Sequence, residues 1–76
     1  MTLFHFKPVS DQVVSVSLLT GERVGNLKRI GGVWKFKAVG YEDGQLVPGG
    51  GPLTHRHNLT FAWLDEAVIS AALRGD

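Results

Sequence analysis

Apolar and polar residues alternate with a period near two through the first two-thirds of the chain, and glycine-containing breaks come at short intervals. This is the pattern of an antiparallel strand meander. Residues 3 to 7, LFHFK, set Phe4 and Phe6 against Leu3, His5 and Lys7. Pro8 is expected to end that strand, because proline cannot donate to a ladder. Residues 12 to 19, QVVSVSLL, send Val14, Val16 and Leu18 to one face and Ser15 and Ser17 to the other. After a turn at Thr20-Gly21-Glu22, the segment from Arg23 to Ile30 reads as a strand with a bulge or bend at Gly25 and Asn26. Gly31-Gly32 then turns the chain into residues 33 to 41, VWKFKAVGY, where Trp34, Phe36 and Ala38 share a face. Lys35 and Lys37 lie opposite with Val33, Val39 and Tyr41. Glu42-Asp43-Gly44 is a hairpin signal, and Gln45 to Val47 should return beside the preceding strand.

The last part of the chain changes character. Residues 65 to 75, DEAVISAALRG, are rich in alanine and free of proline, with acids at the start, Arg74 near the end and Gly75 beyond it. These are the marks of a helix whose ends suit its dipole. The sequence offers Leu64, Val68, Ala71 and Ala72 as its apolar stripe, reaching back to Phe61, with Asn58, Thr60 or Trp63 as alternative starts. A short helix and an aromatic-faced meander each need cover. The expectation is therefore an α+β fold: four or five antiparallel strands, then one C-terminal helix packed on the sheet. Its core would include Phe4, Phe6, Val16, Trp34, Phe36 and Val68. A small closed barrel with an appended helix is the alternative.

Composition narrows the functions. With 76 residues, 43% hydrophobic and 20% charged, the chain has the make-up of an ordinary globule and room for one domain, spanning 1–76. It has no cysteine, which excludes disulfides, thiolate metal sites and thiol nucleophiles. The start, MTLFHFKPVSDQ, has no basic run leading into an apolar segment, and nowhere do eighteen apolar residues follow one another. The expectation is a cytoplasmic protein with no membrane partner. A net charge of +1 gives no strong field, so binding to nucleic acid would require the cations to gather on one face.

Three stretches carry candidate chemistry. Residues 47 to 58, VPGGGPLTHRHN, place three glycines between prolines, but the lysine and hydroxyl of a phosphate-binding loop are absent and no βαβ unit surrounds them. The segment reads as a mobile or tightly turned connection between hairpin and helix, stiffened at its ends by Pro48 and Pro52, its glycines expected to move fast, with no cofactor. His55 and His57, one residue apart, would face the same side of an extended segment and could share a metal. A third ligand is missing locally, so the pair is expected to be solvated beside Arg56. Neither histidine has a partner in a recognisable catalytic spacing. Finally, Arg23, Lys28, Arg29, Lys35 and Lys37 are five of the eight basic residues. With Tyr41 they could form a face for single-stranded nucleic acid, or they could simply be the wet side of a half-buried sheet. Trp34 and Trp63 read as core or hinge residues, of functional interest only if exposed.

The segments GGVWKFKAVGY, PGGGPLTHRHN and the alanine-rich end, spanning Gly32 to Leu73, resemble small uncharacterised prophage-encoded proteins found near phage tail-assembly genes. Residues Leu3 to Thr20 lie outside the resemblance. It implies an assembly or accessory role and brings no catalytic residues. The leading expectation is a non-enzymatic protein that binds another protein, with nucleic-acid binding through Lys28, Arg29, Lys35, Lys37 and Tyr41 as the alternative.

Overall fold

The computed structural model describes residues 4–75. Five strands come first: β1 (Phe4–Ser10), β2 (Val13–Leu18), β3 (Arg23–Ile30), β4 (Val33–Glu42) and β5 (Gln45–Pro48). A 3-10 turn over Thr54–Arg56 and a two-residue strand, β6 (Thr60–Phe61), lead into helix α1 (Glu66–Arg74). Strands β1 to β5 pair antiparallel in sequence order, and β6 adds to β4. The fold is α+β, an antiparallel meander with one C-terminal helix. Leu3 falls outside the described residues.

Several boundaries move for local reasons. Pro8 does not end β1; the strand runs on to Ser10 through a register shift between Pro8 and Ser10. β1 is an edge strand, where a missing N–H is tolerated. In β3 the register shifts around Val24, since Gly25 faces Val16 while Arg23 faces Ser17. The bulge thus comes just before the expected Gly25–Asn26. Gly25 has its own use: a Cβ there would collide with the ring of Phe36, so the absent side chain lets that ring lie on the strand. The hairpin at Asp43-Gly44 is as expected, with positive φ at both residues and Glu42 paired to Gln45.

The core lies between one sheet face and the helix. Phe4, Val14, Val16, Val24, Leu27, Phe36 and Ala38 are buried together with Ile69 and Leu73, and Phe6 and Trp34 pack against them half-buried. The expected helix stripe is overturned. Val68 and Leu64 are 57% and 44% exposed, while Ile69 and Leu73 are fully buried. Val68–Ala72 and Ile69–Leu73 are both i, i+4 pairs, so periodicity alone allows either; the larger pair removes more apolar area from water. Of the starts left open by the sequence, the one at the head of residues 65 to 75 is found: Asp65 is the N-cap, its carboxylate accepting from the backbone N–H groups of Ala67 and Val68. Gly75 closes the other end in the left-handed conformation.

Candidate functional site

Of the two forms expected for the connection, mobile or tightly turned, the structure has the second, stitched along β4. The Phe36 N–H donates to the Leu59 carbonyl at 2.8 Å, and the Asn58 N–H donates to the Phe36 carbonyl at 2.7 Å. One step along β4, the Ala38 carbonyl accepts from the Gly49 N–H at 2.7 Å, but no backbone carbonyl meets the Ala38 N–H. The imidazole of His57 does, its Nδ1 accepting at 3.0 Å. A side chain here fills a rung between β6 and β5, which leaves the ring as the Nε2–H tautomer when neutral. Thr54 tightens the loop by donating from its hydroxyl to the Gly49 carbonyl at 2.5 Å. Arg56 lies half-buried with its guanidinium against Gly75, at the carbonyl end of α1.

The two histidines therefore separate. His55 is exposed in the 3-10 turn, and His57 is half-buried in a structural bond, so the expected solvated pair does not form. Among the described residues no group of three histidine, aspartate or glutamate side chains is placed to hold a metal. Replacing His57 by alanine is expected to cost about 1–3 kcal/mol, because it strands the Ala38 N–H. His55→Ala should be nearly neutral. Urea melts of the two variants, with amide exchange at Ala38, check this; equal stability would mean that the imidazole rung contributes nothing.

The basic residues are only partly brought together. Lys28 stands directly opposite Lys35, in a row completed by Val13 and Thr60. The neighbouring row holds Lys7, Ser15, Asn26 and Lys37. Paired residues share a face, so four lysines occupy the side of the sheet away from the helix. Arg29 does not join them: it pairs with Trp34, on the core side. Arg23 lies beyond the bulge, opposite Ser17. Tyr41 is exposed on the strand four residues past Lys37, roughly 13 Å away along β4. Lys7 and Asn26, which sequence reasoning left out, enter only through the register. The face is not wholly wet, since Ser15 is buried and its hydroxyl donates to the Lys7 carbonyl at 3.3 Å.

A second surface surrounds Trp63, in the link between β6 and α1. Its side chain is 80% exposed, which corrects the core half of the core or hinge reading. Exposed Leu64 follows it, and exposed Val68 lies in the first turn of α1. Of the stripe that the sequence suggested, Leu64 and Val68 are turned outward, while Ala71 and Ala72 are half-buried. No helix among the described residues is long and apolar enough to cross a membrane. Comparison with protein-family models, curated proteins and solved structures returned no match.

Proposed function

We propose that this chain is a non-enzymatic protein-binding module whose contact surface is Trp63, Leu64 and Val68. The observation that carries the reading is the exposure of Trp63, 80% open to solvent in the link just before a helix whose Ile69 and Leu73 are already used in the core. Indole is the side chain most often found as the anchor of a protein interface, because it buries a large area at little entropic cost. Leu64, next in the chain, and Val68, in the first turn of α1, are exposed as well. The partner offers an apolar pocket wide enough for an indole. The likeness to prophage proteins near tail-assembly genes makes an assembly complex the first place to look.

A photo-crosslinking residue placed at Trp63 tests this in cells of the source organism, with the same group at Asp43 as the control. A discrete protein adduct at position 63 that disappears on Val68→Asp is the expected result. Equal labelling at both positions, or an adduct indifferent to Val68→Asp, would remove the reading.

A further inference from the structure

We infer that the sheet face opposite the helix is a binding site for single-stranded nucleic acid, with phosphates held by Lys28, Lys35 and Lys37. The first argument is electrostatic. Like charges directly opposite in a strand pair repel, and Lys28 faces Lys35 with Lys37 two residues further along the same strand. Neither row contains an acid: among the described residues the acidic side chains sit in turns, at the hairpin end of β4 or at the helix start. An isolated domain gains nothing from this segregation, whereas an anion lying across both rows relieves it. The net charge of +1 conceals it, because the acids are elsewhere.

The second argument is shape and chemistry. A groove of about 360 Å³ runs along this face, lined by Lys28, Lys37 and Asn26 on one side and by Val39, Leu46 and Pro48 with the His57 ring on the other. Its volume suits a nucleotide-sized ligand. Cations and apolar side chains line it together, so a planar base can lie beside the lysines, and exposed Tyr41, outside the groove, pairs with Leu46 of its lining. Lys35 and Lys37 are about 7 Å apart along the strand, comparable to the separation of successive phosphates in an extended chain. Lys37 is pre-positioned, its ammonium donating to the Asn58 side-chain oxygen at 2.7 Å and keeping further hydrogens for a phosphate. An extended strand can place its backbone on the lysines and its bases in the groove. A rigid duplex exposes phosphates but no base to the groove.

The test is titration of the intact protein with a fluorescent single-stranded oligonucleotide at low salt. A duplex of the same length and vesicles containing phosphatidylserine serve as the other arms. Single strands should bind best, and affinity should fall with salt at a log–log slope near about −2 for three contacts. The double variant Lys28→Glu/Lys35→Glu leaves the Lys37–Asn58 bond in place and should lose at least about tenfold in affinity with an unchanged melting profile. Arg29→Ala, on the other face, should bind normally. Failure to bind at submillimolar protein would overturn the inference. So would an unaffected double variant, or preferential binding to the vesicles, which would make the face a lipid-contacting one.

Discussion

Replacing Phe36 by alanine is expected to unfold the domain. Phe36 is fully buried in β4, between β3 and β6, opposite Leu27 and over Gly25, within the cluster that Ile69 and Leu73 complete from the helix. Truncating such a ring costs about 3–5 kcal/mol, through lost transfer energy and a cavity that a close-packed interior only partly closes. That is close to the whole stability of a domain this size, roughly 5 kcal/mol. Gly25, beneath the ring, has no side chain of its own that could swing into the gap. The measurement is circular dichroism with a urea melt, and the half-buried Phe6→Ala should be visibly milder. A Phe36→Ala protein with a near-normal midpoint would mean that this face is not the core.

Gly51→Ala is expected to be nearly as severe, although Gly51 sits in a surface loop. Its φ is 87°, and a Cβ there would run into the Val39 carbonyl and the Gly40 backbone, which cannot rotate away as a side chain can. Left-handed strain of about 1–2 kcal/mol and overpacking of about 1–3 kcal/mol add, since both act on the same atom. Gly32→Ala separates them: its φ is 83° but open space surrounds it, so it should show the strain alone. Thermal melts of the two variants would decide, and equal shifts would mean that the loop can lift off β4 at no cost.

The meander, the hairpin at Asp43-Gly44 and the helix ends were legible because each has a local cause: alternation, turn chemistry, and caps that complement a dipole. The burial of Phe4, Val16 and Phe36 followed from alternation as well. What failed was whatever depended on a choice between two locally equal answers. Val68 and Ile69 are adjacent and both apolar, and only the sheet decides which one is covered. Three glycines suggest freedom in an isolated peptide, yet Gly51 is tightly confined because another strand passes beneath it. His57 could not be recognised as a rung of the ladder, since nothing in THRHN says which amide lacks a carbonyl. The lysines showed as a sequence cluster, but register separates Arg29 from them and adds Lys7 and Asn26.

The way the loop covers β4 also governs how copies of this chain can polymerise. One side of the sheet ends in β1, seven residues long and blunted by Pro8 and its register shift; the other ends in β5 and β6, of four and two residues, with the His57 ring between them. Among the described residues the longer edge is β1, with its row of backbone groups interrupted at Pro8. Pairing through β1 is then the same patch meeting itself about a two-fold axis, a closed contact that leaves no second edge for a third molecule. Fibre growth needs two compatible edges on every unit, and the imidazole is part of what withholds the second.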